Sequence, residues 1–187
     1  QKQARGYAVA TPEARNLRDL RLRRFGQPVY VSADHTLGRK GQIVHGTVHD
    51  ENAYTLGRVS AHAGLFSTAR DVGMFLQMLL NGGSYGELQL LAPETIARFI
   101  KRQEVVAGSS RALGWDTADG KNSAGRLMSA AAFGHTGFTG TSVWADPQTQ
   151  LFVVLLSNRV HPTRENRRLL AFRAKLHEMI ARALLAH

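Results

Sequence analysis

Residues 133–156 read FGHTGFTGTSVWADPQTQLFVVLL, and this stretch decides the fold. Two strand-like segments, 141–145 and 151–157, flank the turn-forming residues 146–150, so the pattern predicts an antiparallel hairpin. The first six residues of the second segment are all apolar, which predicts a strand inside a sheet covered on both faces. The glycines and hydroxyl groups of 133–142 favour a strand edge where the backbone approaches a ligand closely, with a glycine-rich turn as the alternative.

Helical patterns surround this hairpin. Residues 68–81 begin with a capping-box-like sequence and end in Asn-Gly-Gly, so they predict an amphipathic helix. Its predicted apolar face consists of Val72, Phe75, Leu76, Leu79 and Leu80. Pro93 opens a helix over 93–101, and Thr11-Pro12-Glu13 opens another over 11–25. The chain ends in a long helix with one apolar stripe, made of Leu169, Phe172, Leu176, Met179, Ile180, Ala183 and Leu184.

These elements, with a further strand near 113–117, predict an α+β fold in which helices flank an antiparallel sheet. The C-terminal helix is expected against one face of that sheet. A chain of 187 residues is long enough for a single domain. The absence of cysteine excludes disulfides and thiolate metal sites, and no apolar run approaches the roughly 18 residues that cross a bilayer.

The net charge of +10 comes largely from two arginine-rich segments, 15–24 and 164–173. A basic face can attract nucleic acid, anionic lipid or an acidic polymer. No aromatic residues interleave with these arginines as a base-stacking platform would require. We therefore expect solvated helix surfaces, or a surface that faces an acidic partner, and no nucleic-acid partner.

Several short phrases, in order and at consistent spacing between residues 48 and 163, carry a family resemblance. They are Val48-His49-Asp50-Glu51-Asn52-Ala53, His62-Ala63-Gly64-Leu65-Phe66-Ser67-Thr68, Leu113-Gly114-Trp115-Asp116-Thr117, Gly134-His135-Thr136-Gly137-Phe138-Thr139-Gly140-Thr141, Asp146-Pro147 and Ser157-Asn158-Arg159-Val160-His161-Pro162-Thr163. Together they resemble the C-terminal part of serine β-lactamases and penicillin-binding proteins, in the esterase and class C-like branch. The resemblance implies an incomplete β-lactamase/transpeptidase-like fold.

The resemblance also implies an acyl-transfer site. In this family a serine attacks a carbonyl, a lysine three residues later helps to deprotonate it, and a Lys-Thr-Gly strand lines the opposite wall. His135-Thr136-Gly137 takes the position of that strand, with histidine in place of lysine. By this resemblance Thr136 would hydrogen-bond a substrate carboxylate or carbonyl, and the backbone N–H of Phe138 would form half of the oxyanion hole. Because a histidine changes charge near neutral pH, carboxylate recognition is expected to depend on pH.

Other candidate residues lie outside the triplet. By resemblance, His49 and Asp50 belong to a loop that borders the substrate cleft, and His62 lies near its rim. The alternative for Asp50 is that its short polar side chain holds the loop backbone. Trp115 either walls the pocket or belongs to the core.

Two histidines, His45 and His49, are spaced as a helical zinc pair would be, but Gly46 and Thr47 between them disfavour a helix. We therefore expect no metal and no cofactor.

The chain departs from the family in its nucleophile. The residues three before the internal lysines are Leu37, Arg98, Ala118 and Phe172, so Ser-x-x-Lys is absent. Tyr-x-Asn is absent too, and Tyr30 is the nearest approach to it. We expect that both motifs lie upstream of this chain, or in the other half of a naturally divided protein.

The predicted division of this part-domain, 1–187, is a helical lead-in at 1–28, a loop bordering the site at 29–66, helices at 67–110, and strands with the C-terminal helix at 111–187.

The resulting hypothesis is that the chain forms part of a serine hydrolase, which acts through an acyl-enzyme on an amide or ester. Its substrate would be a β-lactam, a peptidoglycan-like peptide or a small ester, and the chain alone would be inactive. Its partners would be that small-molecule or peptide substrate, the N-terminal half of the enzyme, and further copies through self-association. The resemblance favours a periplasmic or secreted location. A non-catalytic binding module and a basic nucleic-acid-binding domain are the alternatives.

Overall fold

The structure, a computed structural model, describes residues 30–31, 44–46, 48–57, 60–161 and 163–185. The chain divides into two compact units, of which the first holds residues 1–69 with 156–167 and the second holds 70–155 with 168–187. The helix predicted over 11–25 lies outside the described residues. The division of the chain into four functional segments stays a prediction.

The first unit contains a short antiparallel pair, β1 (Tyr30–Val31) with β2 (Val44–His45). It also contains helix α1 (Glu51–Thr55), which begins where the side chain of Asp50 accepts a hydrogen bond from the backbone N–H of Ala53. A short polar side chain in extended backbone is the usual way to satisfy an N–H at a helix start.

The second unit contains the predicted antiparallel sheet. Its strands are β5 (Asp116–Thr117), β6 (Phe133–Thr136), β7 (Ser142–Asp146) and β8 (Leu151–Leu155), in the order β5-β6-β7-β8. A smaller pair joins β3 (Ser84–Tyr85) to β4 (Leu88–Gln89). The hairpin of β7 and β8 is confirmed, since Asp146 pairs with Leu151 and its carboxylate accepts the N–H of Gln148 at 3.0 Å within the turn.

Alternate residues of the sheet point into two apolar clusters. On one face Phe133 and Ala145 pack with the helices α2 (Ala69–Leu80) and α3 (Pro93–Ile100), whose buried side chains include Leu76 and Ile96. On the other face Trp144 and Val153 pack with Ala118, Ala124, Met128, Ala132 and Ile180. The predicted α+β architecture with helices on the sheet is therefore confirmed.

The prediction that residues 151–156 form an inner strand is wrong for the described part of the chain. There, β8 pairs only with β7 and forms the edge of the sheet. Both faces of β8 do have apolar cover, because Phe152 and Val154 contact one cluster and Val153 the other. Only Val153 is buried, since an edge strand has no neighbour on its outer side to shield the other side chains.

The helices predicted at 68–81 and 93–101 are confirmed as α2 and α3. The chain leaves α2 through Gly82 and Gly83, which both have positive φ. A Cβ at Gly83 would lie 2.1 Å from the carbonyl oxygen of Leu91, so this exit needs glycine for space as well. The predicted apolar face is wrong at Phe75, which is half exposed while Met78 is buried.

The C-terminal helix is confirmed as α4 (Arg168–Leu185), but its buried face is not the predicted apolar stripe. The buried residues are Arg173, His177 and Ala181, one turn apart, and two members of the stripe, Met179 and Leu184, are 59% and 58% exposed. The polar side chains are buried because backbone carbonyls receive their hydrogen bonds. His177 Nδ1 donates to the carbonyl of Ser123, and burial lowers the pKa of this histidine, which keeps it neutral.

Among the described residues, no helix combines the length and apolar character that a membrane span requires.

Apolar side chains on the outer side of α4 make self-association an expected property of this chain. Phe172, Met179 and Leu184 are each about half exposed or more, and β8 presents a strand edge within the described sheet. The charge of +10 opposes association at low salt, so association should increase as salt screens the repulsion. Sedimentation of the purified chain at low and high salt measures this. A cooperatively unfolding monomer at both salt concentrations would contradict the prediction.

Candidate active site

The triplet His135-Thr136-Gly137 lies at the end of β6 that extends beyond its neighbour β5. Phe133 and Gly134 pair with β5 on one side and with β7 on the other. His135 and Thr136 pair with β7 alone among the described strands, so their outer backbone edge is open there. β6 is therefore an inner strand and not the edge strand that the sequence predicts, but its last two residues extend beyond β5. An open backbone edge of this kind can receive an extended substrate through backbone hydrogen bonds.

Two glycines of the stretch lie very close to neighbouring residues. A Cβ at Gly134 would lie 2.3 Å from the carbonyl oxygen of Val143 and 2.4 Å from the ring of Trp144. A Cβ at Gly137 would lie 2.1 Å from Oγ1 of Thr141. At Gly134 the nearest atom belongs to the backbone, so no other residue fits there without moving it. At Gly137 the nearest atom belongs to the side chain of Thr141, which would have to rotate away. The glycine pattern thus reflects the packing of β6 on β7 and the closure of the following turn.

The turn after the triplet carries the amide of Phe138, the predicted oxyanion donor. The N–H of Gly137 donates to the carbonyl of Thr141 at 2.8 Å, which closes the turn. Its two ends are held from outside by Arg173, which is 3% exposed. Nη2 of Arg173 donates to the carbonyls of Gly137 and Thr141 at 2.6 and 2.7 Å. A buried guanidinium on α4 therefore fixes the backbone on both sides of Phe138.

Arg173 is not among the predicted site residues, because the arginines of 164–173 are expected on a solvated surface or on one that faces an acidic partner. Its i, i+4, i+8 spacing with His177 and Ala181 gives a helical line. Only one residue of that line is apolar, so a search for apolar residues at helical spacing does not find this buried face.

A second missed residue, Arg111, contacts the triplet directly. Nη1 of Arg111 lies 3.3 Å from Nε2 of His135, and Nε lies 3.2 Å from Oδ1 of Asp116. Arg111 also forms an isolated bridge with Asp116, which precedes β6 in the sheet order. The 24 residues between Arg111 and His135 hide this contact from any local motif.

Trp115 has the contacts of a core residue. Its ring meets that of Phe133 edge to face, with centroids 5.2 Å apart, and it packs against the cluster around Leu76. These contacts favour the core alternative, and a role for Trp115 in the pocket wall stays a prediction.

The first unit brings together Asp50 and His62 of the predicted site. Oδ1 of Asp50 accepts from the N–H of Ala53 at 2.8 Å and lies 2.9 Å from Nε2 of His62, whose Nδ1 lies 2.6 Å from Oγ of Ser60. The Ala53 hydrogen bond is the main cause that lowers the pKa of Asp50, and His62 adds to it. The ionised carboxylate thus holds the loop to the helix start, as the structural alternative for Asp50 predicted.

His49 is buried, and its Nε2 accepts from Nε of Arg164 at 3.1 Å. Its predicted neighbour in a zinc pair, His45, ends β2, and Gly46 has a φ of 61°, so the two do not share a helix. Within the described ranges, no three His, Cys, Asp or Glu side chains are grouped as metal ligands. A substrate-binding role for His49 stays a prediction.

The second unit also has a basic cleft of about 840 Å³ between residues 120–126 and α4. Its lining includes Lys121, Arg126, Lys175 and Arg182, with Glu178 as the acidic member. None of the predicted site residues lines it. The basic residues of α4 that line this cleft, Lys175 and Arg182, lie outside the two arginine-rich segments that the sequence singles out.

Parts of this chain are similar in sequence to known proteins, and part of its fold is similar to solved structures. A "Putative D-alanyl-D-alanine carboxypeptidase" of Salmonella gallinarum is 44% identical over 121 residues, which are 62% of this chain and 27% of that protein. A protein of the same description from Salmonella agona is 42% identical over 120 residues, with the same coverage. The chain thus spans about a quarter of the length of these curated relatives.

The solved structure of a "Putative 6-aminohexanoate-dimer hydrolase from Bacillus anthracis" superposes with a TM-score of 0.51 at 24% identity. The superposition covers 66% of this chain and 31% of that one, and it confirms the fold. Residues 5–178 match the family model described as Beta-lactamase, which confirms the resemblance over most of the sequence. The chain belongs to the beta-lactamase family.

Proposed function

We propose that this chain is the part of a serine hydrolase that holds the substrate and the oxyanion, while the nucleophile comes from outside this sequence. One observation carries the proposal: the open backbone edge at His135 and Thr136 runs directly into a turn that Arg173 clamps around Phe138. An edge that can bind an extended substrate, next to a fixed backbone N–H, is the arrangement that acyl transfer requires.

The proposed reaction is hydrolysis of an amide or ester through an acyl-enzyme. The serine would attack the carbonyl and form a tetrahedral intermediate with a negative oxygen. The backbone N–H of Phe138 would donate to this oxygen, and expulsion of the amine or alcohol would leave the acyl-enzyme for water to hydrolyse. During both steps the edge of β6 would hold the substrate, and Thr136 would hydrogen-bond its carboxylate or carbonyl.

The names of the relatives favour a peptide substrate over the other candidates. Two are described as putative D-alanyl-D-alanine carboxypeptidases, at 44% and 42% identity. We propose a peptidoglycan-like peptide with a free carboxylate, with β-lactams and small esters as further substrates. The N-terminal half of the enzyme is the proposed protein partner, and a periplasmic or secreted location fits this substrate.

Replacing Thr136 or His135 by alanine in the complete enzyme tests the proposal. Each variant should lower kcat/KM for an anionic peptide more than for a neutral ester, because a hydrogen bond to a charged group is lost. Such a bond contributes roughly 1.5–3 kcal/mol, which corresponds to about 10- to 150-fold in rate. Steady-state kinetics on matched acid and methyl ester substrates measure this, with Thr95→Ala on the exposed side of α3 as the control. Equal losses for both substrates would mean a purely structural role for the strand.

The alternative with a specific observation in its favour is a non-catalytic binding module, because Ser-x-x-Lys is absent from this sequence. Labelling of the complete protein by a fluorescent penicillin, or its turnover of nitrocefin, separates the enzyme from the module. For the nucleic-acid alternative, the basic cleft is the surface to test, and we expect no salt-dependent shift of DNA by this chain.

A further inference from the structure

His177 on α4 is fully buried, and no step of the proposed reaction uses it. Its Nδ1 faces the carbonyl oxygen of Ser123, which can only accept, so Nδ1 carries the proton of the neutral ring. Ser123 is fixed in turn, because its Oγ accepts from Nε1 of Trp144 at 3.0 Å. The other ring nitrogen, Nε2, has no hydrogen-bond partner within the described part of the chain. A second proton would therefore have to enter at Nε2, inside the protein.

Arg173 lies one helical turn before His177 and is also buried. Side chains at this spacing on a helix are neighbours, with Cβ atoms about 5–6 Å apart. The guanidinium of Arg173 donates to the carbonyls of Gly137 and Thr141, at the two ends of the turn that carries the amide of Phe138. Burial lowers the pKa of His177, the charge of Arg173 lowers it further, and the hydrogen bond to Ser123 opposes them only in part. The neutral ring is thus the form that fits beside the bound guanidinium.

The carboxylates on the described elements around His177 already have partners. On β7, Asp146 accepts from Ser129 and Gln148. The other carboxylates are those of Asp119, which accepts two backbone N–H groups of its own loop, Asp116, which pairs with Arg111, and Glu178, which pairs with Arg182. The remaining charged side chains of α4 and of residues 116–132 are positive, namely Lys121, Arg126, Arg168 and Lys175. A proton on His177 would therefore place a second cation beside Arg173 without a carboxylate to compensate it.

We infer that His177 is an acid-sensitive switch of the turn that carries Phe138. When Nε2 takes up a proton, two cations lie one turn apart in the interior, and their repulsion is relieved when Arg173 leaves the carbonyls of Gly137 and Thr141. The turn then loses its clamp. The inference rests on the proposed function in one respect, because release of the turn lowers the rate only if the N–H of Phe138 serves the reaction.

The direction of the effect follows from proton uptake. In the opened form, His177 takes up its proton near the ordinary value of 6.5, whereas in the closed form its pKa is lower. The opened form therefore binds more protons between these two values, and acid favours it. Above pH 6.5 the closed turn keeps its full stability.

Amide hydrogen exchange of this chain tests the inference, followed by NMR together with the ring signals of His177. The reporter is the N–H of Gly137, which closes the turn by donating to Thr141. Below pH 6.5 its protection factor, corrected for the intrinsic pH dependence of exchange, should fall about 10-fold for each pH unit until His177 itself titrates. Amides of the β7–β8 hairpin should keep their protection, since only the turn opens.

His177→Asn should keep the turn protected down to pH 5, because asparagine can still donate to the carbonyl of Ser123 and does not titrate. His177→Gln serves the same purpose if the first variant does not fold. His161→Asn, which replaces an exposed histidine, is the control and should behave as the unmodified chain. In the complete enzyme, His177→Asn should shift the acid limb of the kcat profile for a neutral ester to lower pH.

Three outcomes would overturn the inference. The first is constant protection of Gly137 in the unmodified chain from pH 7 to pH 5, and the second is the same loss of protection in His177→Asn. The third is simultaneous loss of protection in the β7–β8 hairpin, which would mean acid unfolding of the whole sheet. Because exchange does not depend on catalysis, a working switch in a complete protein that hydrolyses nothing would contradict only the proposed function.

Discussion

This chain alone should hydrolyse neither nitrocefin nor p-nitrophenyl acetate above the buffer rate, whereas the enzyme that includes its nucleophile segment should turn over at least one of them. The reason is the absence of Ser-x-x-Lys, without which no acyl-enzyme forms by the family mechanism. Enzymes of this kind accelerate hydrolysis by about 10⁶-fold or more, so the expected difference is all or none. Absorbance assays of both proteins, with intact-mass spectrometry for a covalent adduct, measure it.

The prediction that this chain is inactive needs a control for Ser60. Ser60, His62 and Asp50 form a hydrogen-bonded chain in the order of a nucleophile, a base and an orienting acid. The Oδ1 atom of Asp50 that meets His62 also accepts the N–H of Ala53, as expected of a helix cap. We therefore expect no adduct on Ser60, and Ser60→Ala should leave the background rate unchanged. Burst kinetics, or an adduct that Ser60→Ala removes, would contradict the prediction.

The parts of the fold that the sequence predicts are those with local signals. The turn at Pro147 sets the hairpin, and the glycines after Leu80 end α2, because turn and cap residues act within a few positions of themselves. The turn and the helix end require no knowledge of what lies elsewhere in the chain. The glycines of 133–142 are a weaker signal: the sequence favours a close approach to a ligand, whereas Gly134 makes its close approach to β7 and Gly137 to Thr141.

The parts that the sequence does not predict depend on distant partners. The buried face of α4 is polar because Arg173 and His177 meet carbonyls 32 to 54 residues earlier, whereas helical periodicity counts apolar residues only. Arg111 reaches His135 in the same non-local way. The outer position of β8 follows from strand order, which an apolar run of six residues does not determine.

Replacing Arg173 by alanine should cost both stability and rate. The two carbonyls lose a charged donor, and hydrogen bonds to charged groups contribute about 1.5–3 kcal/mol each, so we expect a loss of about 3 kcal/mol or more in the free energy of unfolding. At roughly 2–4 °C per kcal/mol for a chain of this size, the Tm should fall by about 6–12 °C. In the complete enzyme, kcat should fall about 10- to 100-fold, because the loosened turn no longer fixes the N–H of Phe138. Thermal unfolding of the chain and steady-state kinetics of the enzyme measure the two effects.

The loss of rate should be the same for acid and neutral substrates, which distinguishes Arg173 as a positioning residue from Thr136 at the proposed carboxylate site. Arg182→Ala is the matched control, since Arg182 lies on the same helix with 71% of its side chain exposed and pairs with Glu178 at 3.5 Å. Exposed pairs of this kind contribute about 0.5 kcal/mol or less. Should the alanine variant fail to fold, Arg173→Lys keeps the charge but not the planar fork, so it should fold and still lose kcat with little change in KM. A folded Arg173 variant with unchanged kcat would show that the turn holds its shape without this clamp.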